Sequence, residues 1–404
     1  MDDVAQWADE LQALHARSAP RFERAEPRRR VLAYLHGLLS HAERKNGWRL
    51  AEEAGAGTPD GMQRLLNAAR WDVDAVRDDL VAYVRAHLAD PAAILVLDET
   101  GFLKKGTKSA GGQRQYRGTA GRRENCQVGV FVASSSLVPA QTQVLVDREL
   151  YLPQDWAEDW AEDWPRRREA GVPDDVVFAT KPELAQRMLE RVRAAGRPAA
   201  WVTGDTVSGG SGPLRTWLEE RRQPSVVAIA KNDGVDLPSG KTAMPVSAAE
   251  IAPYALDPHD WHRLSAGDGS KVEGATGYGL RLYDWALVRL AAPSAAGFEP
   301  ALVIRRPLDA PHDPKKLAYS LTCAPVGPLF ETLLAVAGRR WTIEESLEAA
   351  KGEVGLDHYE GRHYQGWYRH ITLAMLALAY LAVVRSRLPD AAGKRGISWL
   401  SSAS

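Results

Sequence analysis

The first ninety residues carry apolar side chains at a helical period. Arg28 to Leu39, RRRVLAYLHGLL, is amphipathic with a basic entry, and GWRLAEEAG closes on Gly55. TPDGMQRLLNAA offers Thr58 as an N-cap before Pro59, and DVDAVRDDLVAYVRAHL offers Asp72. From Ala92 the pattern changes to short apolar runs of strand type. Ala93 to Leu97 ends on Asp98; Gln127 to Ala133 and Gln143 to Leu152 follow; a helix over Pro182 to Ala195 stops at Gly196; Ala199 to Thr203 leads to Asp205; and a helix covers Pro213 to Arg222. Farther on, SVVAIA, LRLYDWALVRL, PALVIRR and AYSLTC read as strands separated by Gly, Pro and Asp, which predicts a β-rich insertion. A helix over Leu329 to Ala337 leads into RRWTIEESLEAAKGEVGLDHY, a second helix opened by Trp341 and Thr342. Ile371 to Val384 is apolar almost throughout yet shorter than the roughly 20 residues of a membrane span, so a buried helix is expected.

Composition narrows the class. With 404 residues, 45% hydrophobic and 25% charged, the chain is long enough for two or three cores. A net charge of -1 is unlike that of a uniformly basic nucleic-acid binder, so any phosphate-binding surface must be concentrated locally. Cys126 and Cys323 have neither zinc spacing nor a disulfide framework, and the acidic start MDDVAQWADELQALHARSAP is not an export signal; a reducing cytoplasm is the expectation.

Candidate chemistry gathers at three acids. On the late helix, Ile343, Leu347 and Ala350 form a buried stripe, while Arg340, Glu344 and Lys351 share a second face; they read either as solvated ion pairs or as a carboxylate between two phosphate-binding cations. Asp98 and Asp205 at two strand ends, with Glu344, form a hard-oxygen set suited to magnesium or manganese, and two such ions about 4 Å apart serve phosphodiester chemistry. After Asp98, a glycine-rich stretch carries Lys104, Lys105, Lys108, Arg114, Arg117, Arg122 and Arg123, either a phosphate-contacting loop or a flexible hairpin. Trp341 is a base-stacking candidate or a core tryptophan; His358 and His370 are structural residues or phosphate contacts. The N-terminal helices, with Arg28, Arg29, Arg30, Arg44, Lys45, Arg49 and Arg64, are a DNA-contacting bundle or a structural cap. WAEDWAEDW, from Trp156 to Trp164, is a tandem repeat whose carboxylates, Glu158, Asp159, Glu162 and Asp163, read as a slipped duplication before a metal site.

The spacing Arg340, three residues, Glu344, six residues, Lys351 resembles the signature of bacterial insertion-sequence transposases of the DDE superfamily, in the branch named for a Tyr-Arg-Glu-Lys motif. Ala337 stands at that motif's first position. LDETGFLKKGTKSAGGQRQYRGTAGRRENCQVGVFVA, and GLDHYEGR followed by GWYRHITLAMLALAYL, are similar to the DDE endonuclease domain of one group of these elements, over about Phe22 to Val384. The resemblance implies an α/β fold with a ribonuclease H-like core, in agreement with the order strand, strand, strand, helix, strand, helix. It implies a catalytic, metal-binding triad of Asp98, Asp205 and Glu344 with two Mg2+ or Mn2+ ions, and phosphate binding by Arg340 and Lys351. The implied organisation is a helical DNA-binding domain (1–90), the core's first part (91–222), a β-rich insertion (223–328), the return carrying the catalytic Glu (329–388) and a polar tail (389–404). The implied partners are double-stranded DNA, as terminal inverted repeats and target, and a second copy in a synaptic dimer, in a bacterial cytoplasm at the nucleoid and with no membrane. The activity implied is end cleavage and strand transfer. Chains of this family usually continue into a basic tail, and Ser208 stands where relatives tend to have an aromatic residue. With the tandem repeat, these departures set a second expectation, a truncated relic that represses transposition by binding DNA. A host nuclease on the same fold is the third.

Overall fold

The computed structural model describes all residues except 1, 118–121, 137–142, 158–163, 197–198, 240–241, 269–279, 292–296, 328–329 and 389–404. Five helices open the chain: α1 (Asp2–Ser18), α2 (Ala25–Leu39), α3 (Gly47–Glu53), α4 (Asp60–Asn67) and α5 (Val73–His87). The starts of α3 and α5 are set by side chains that accept otherwise unpaired backbone N–H groups: Asn46 accepts from Arg49, and Asp72 from Asp74 and Ala75. Thr58 does not cap α4. Pro59 holds the cap position, and the Thr58 hydroxyl donates to Asp60 at 3.0 Å.

The sheet follows as β1 (Ile94–Leu103), β2 (Gln113–Arg117), β3 (Arg122–Ser135), β4 (Gln143–Tyr151), the short helices α6 (Gln154–Ala157) and α7 (Trp164–Glu169), α8 (Lys181–Ala194), β5 (Trp201–Gly204), α9 (Thr206–Gly209), α10 (Gly212–Glu220) and β6 (Ser225–Ile229). β1 pairs antiparallel with β3 and parallel with β5, and β5 pairs parallel with β6. β3 is long enough to pair with β2 through its first half and with β4 through its second. The resulting order β4-β3-β1-β5-β6, with β1 central, is the ribonuclease H-like arrangement, and the fold is mixed α/β.

The remaining elements are β7 (Gly234–Ser239), β8 (Thr242–Ser247), α11 (Ala248–Ala255), β9 (His262–Asp268), β10 (Leu280–Arg289), β11 (Phe298–Pro307), β12 (Ala318–Pro325), α12 (Phe330–Arg339), α13 (Thr342–Val354) and α14 (Tyr364–Arg387). Strands β9 to β12 do not form a sheet of their own. β12 pairs antiparallel with β6, so the central sheet continues through β12, β11, β10 and β9. Among the described residues, β7 and β8 stand apart as an antiparallel pair. A small second core, containing Ile229, Val235, Ile251, Leu302, Ile304 and Tyr319, lies on this extension.

The main core runs from Leu11 in α1 to Val383 in α14, so the N-terminal helices and the sheet bury one continuous apolar cluster. Helix α14 is its axis. At 24 residues it is longer than the sequence pattern suggests, and long and apolar enough to cross a membrane by length and composition; 89% of its most apolar window is buried inside the protein. Burial, and not shortness, marks it as a core helix.

Candidate active site

The apolar run Ile94 to Leu97 is buried between layers, and its parallel partner β5 ends at the pair Leu97 and Gly204. Asp98 and Asp205 are therefore the first residues beyond the last β1–β5 pair, side by side at the carboxyl edge. The sequence pattern ends the first strand at Leu97. In the structure β1 continues to Leu103, because residues 98–103 keep pairing with β3, from Asp98 opposite Phe131 to Leu103 opposite Cys126. Asp98 thus sits within a strand held on one side only. Its Oδ1 accepts the Glu99 N–H at 2.8 Å. Asp205 caps α9, accepting the Ser208 N–H at 3.1 Å. Ser208 itself is buried, and a Cβ on Gly204 would come 2.9 Å from its Cβ, so the turn is built from small residues.

Helix α13 brings the third acid. Ile343, Leu347 and Ala350 are buried, as the periodicity requires, leaving Glu344 on the open face with its side chain 58% exposed. Arg340 lies 3.9 Å from Glu344. About two turns on, Lys351 donates to the Thr100 hydroxyl at 2.6 Å. Thr100 is two residues beyond Asp98 on the same face of β1, so α13 crosses the strand on the side that Asp98 faces.

Burial pushes the Asp98 carboxyl up to about 7; the Glu99 N–H pulls it down, Asp205 and Glu344 push it up through like charge, and Arg340 pulls it back. Asp205 and Glu344 thus both lie near enough to Asp98 to act on it electrostatically. Among the described residues, no three His, Cys, Asp or Glu side chains close into a ready-made metal cage. The donor set fits a hard divalent cation all the same: it is all carboxylate oxygen, and a cation would relieve the desolvation and like-charge repulsion that disfavour the Asp98 carboxylate.

A family model described as DDE superfamily endonuclease matches residues 18–249, more than half of the chain, including Asp98 and Asp205. This chain belongs to that family. A curated relative described as a probable transposase for insertion sequence element IS701, from Microchaete diplosiphon, is 29% identical over 206 residues, covering 50% of each chain. The chain thus spans about half the length of that relative. Glu344 lies outside the residues matched by the family model, so its place rests on the geometry above.

The cations expected around this candidate centre are distributed more widely than the sequence suggests. The glycine-rich stretch is a hairpin, β2–β3, on which Arg114 and Arg123 share one face and Arg122, 2.6 Å from Glu124, lies on the other. All three are exposed, as is Lys105. Lys104 turns inward: its ammonium donates to the Tyr359 carbonyl and lies 5.1 Å from that residue's ring centroid. Burial pushes its pKa down to about 8 against the pull of Glu360 and Asp357. On α2, Arg29 is exposed, Arg28 donates to the Phe22 carbonyl at 2.8 Å, and Arg30 pairs with Glu26 at 3.3 Å. Trp341 is half-buried against the main core. Trp156 is buried beneath the Arg166 guanidinium at 3.9 Å, while Glu158, Asp159, Glu162 and Asp163 lie outside the described residues.

Sequence reasoning missed Thr100, the anchor of Lys351, and an ion pair of Glu99 with Lys181 behind the site. Burial raises the Glu99 pKa, Lys181 lowers it, and Asp205 raises it again. Glu99 and Thr100 stand in the DET run that begins at Asp98, the local signal that could have found them.

The histidines resolve as structural. His358 Nδ1 accepts the Lys45 N–H at 3.0 Å. His370 is buried between the Tyr34 hydroxyl, at 2.8 Å from Nδ1, and the Gly355 carbonyl, at 2.9 Å from Nε2, joining α2 to the end of α13. Burial lowers its pKa from 6.5 to about 4, and the Gly355 bond works against that fall. The folded value lies below the unfolded one, so this residue's stability is complete above about pH 6.5 and is lost as pH falls through 4. His370→Ala should be about 2–5 kcal/mol less stable at pH 7, and its deficit should shrink below pH 6, as urea denaturation across that range would read.

Proposed function

We propose that this protein is a DNA transposase of an insertion sequence, cutting the element's ends by metal-dependent phosphodiester hydrolysis and joining them to target DNA. The observation that carries the reading is the meeting of Asp98 and Asp205 beyond the last β1–β5 pair, with Glu344 and Arg340 acting electrostatically on Asp98. A divalent cation, with Mg2+ or Mn2+ and two ions as the expected complement, would be held by Asp98, Asp205 and Glu344 and would activate the attacking oxygen and stabilise the leaving one. Arg340 beside Glu344 is placed to hold the phosphate against that centre, and Lys351, braced on Thr100, keeps α13 across β1. The exposed Lys105, Arg114, Arg122 and Arg123 would track the DNA backbone and fix register without reading sequence.

The organisation expected from the sequence is part of the proposal: residues 1–90, through Arg29 and its neighbours, grip the element end, and strands of 223–328 support the DNA beside the cut. Two copies act together, because two ends must be synapsed. Cleavage and joining are both in-line displacements at phosphorus that differ in the attacking oxygen, water first and a freed 3′ hydroxyl second, so one centre serves both.

The test is magnesium-dependent cleavage of a labelled duplex carrying the terminal repeat that flanks the coding sequence. Wild type should cut at the repeat boundary, and Glu344→Gln should bind the duplex equally well but cut it at least about a hundredfold more slowly. Binding without cleavage by either protein would replace the enzyme with a DNA-binding repressor.

A further inference from the structure

The junction between α12 and α13 carries Arg340. Trp341 occupies the N-cap position of α13 without a side-chain hydrogen bond to the helix, and Arg340 N–H bonds back to the Ala337 carbonyl at 3.3 Å. A stack that begins on the sheet extension reaches this elbow. On β10 and β11, Trp285 lies opposite Arg305. The Arg305 guanidinium is 4.4 Å from the Tyr283 ring centroid and 4.5 Å from that of Trp341, and the Arg340 guanidinium is 4.9 Å from the same indole. Tyr283, Arg305, Trp341 and Arg340 therefore alternate ring and cation from the outer strands to the signature helix.

The base of the stack is rigid. Trp285 is buried, and its indole N–H donates to the Leu264 carbonyl at 3.2 Å. On the opposite face of β10, Asp284 accepts from Arg263 at 3.0 Å and Arg306 at 3.2 Å. The top of the stack is the acidic centre: Arg340 lies 3.9 Å from Glu344 and its charge acts on Asp98. A planar guanidinium against a ring face resists both sliding and tilting, which a lysine ammonium does not.

We propose that Arg305 is a positioning residue: through the Trp341 ring it fixes Arg340 beside Glu344 and Asp98, and so couples strands β10 and β11 to the acidic centre. The inference rests on the proposed active centre. It also means that a base could stack on Trp341 only in competition with the two guanidiniums.

The experiment is single-turnover cleavage of the same repeat-bearing duplex at saturating protein, with duplex affinity and melting temperature measured in parallel. Arg305→Ala should slow the saturated rate about tenfold to a hundredfold while leaving affinity within about twofold, because the fault lies in placement. Arg305→Lys should fall between the two. The Arg305→Ala/Arg340→Ala double variant should cut no more slowly than Arg340→Ala alone, since Arg305 acts through Arg340. In metal-free, DNA-free protein labelled with 5-fluorotryptophan, the 19F resonance lost in Trp341→Phe should move in both Arg305→Ala and Arg340→Ala. Should Arg305→Ala fail to fold, Tyr283→Leu, which strips the other ring from Arg305, should give the same pattern more weakly. Additive rate losses in the double variant would overturn the proposal, as would weaker duplex binding at an unchanged saturated rate, which would make Arg305 a phosphate contact. Those results are distinct from failure of the active centre itself, which would appear as Glu344→Gln cutting like wild type.

Discussion

Asp98→Asn is expected to abolish cleavage and, in the absence of metal, to make the protein more stable than wild type above neutral pH. The loss of activity should be roughly a thousandfold or more, the scale on which groups in a single preorganised centre act. The gain in stability follows from the same geometry. Asp98 is raised from 3.8 to about 7, first by burial and then by Asp205 and Glu344, so the folded chain prefers the neutral carboxyl that the unfolded chain surrenders near pH 4. Wild type therefore loses this stability as pH rises from about 4 to 7, and the loss is complete above 7. Asparagine does not titrate, so the two proteins should melt alike, apart from a constant offset, near pH 4. The gap should open towards pH 7 and then level off, at up to roughly 4 kcal/mol. Thermal melts in a metal chelator from pH 4 to 8 would read it. A gap that stays constant across that range would show that neither burial nor its charged neighbours raise Asp98.

The second large effect is expected at Gly209, a residue with no chemistry of its own. A Cβ built there would stand 1.9 Å from the Ala228 carbonyl oxygen, and real Cβ atoms essentially never come within 3.0 Å of a heavy atom, so α9 must move off β6 by about 1 Å. Asp205 caps that helix and would move with it. Gly209→Ala should therefore destabilise the fold by about 1–3 kcal/mol, the usual range for overpacking. It should also slow cleavage on the order of a hundredfold, because an ångström of displacement is enough to spoil a catalytic geometry. Urea denaturation and single-turnover cleavage would measure the two. A variant with the rate of wild type would mean that Asp205 is held independently of α9.

Most of the local structure was legible because it depends on neighbours in sequence. The buried stripe of α13 follows from the spacing of Ile343, Leu347 and Ala350, and the strands bearing Asp98 and leading to Asp205 follow from their apolar runs. The boundaries were less so. Residues 99–103 do not read as a strand, yet they pair along β3, whose partner residues lie some twenty to forty positions away. The glycine-rich basic stretch reads equally as loop or hairpin, since the strand register that settles the matter appears only once β3 is in place.

Individual side chains divide the same way. Lys104 and Lys105 are adjacent and alike in sequence, but Tyr359, more than 250 residues on, turns the first ammonium inward and leaves the second exposed. Nothing near Arg305 in sequence marks it, because both Tyr283 and Trp341 reach it from other elements. The sequence by itself determined most of the series of elements, the three candidate acids and the family, because periodicity, strand endings and motif spacing are local properties. Only the tertiary structure decided that β12 joins β6 and so continues the central sheet, that Asp98 sits mid-strand beyond its parallel partner, and that an arginine of the outer strands reaches the signature helix. These are contacts between distant segments, and they exist only when the chain closes on itself.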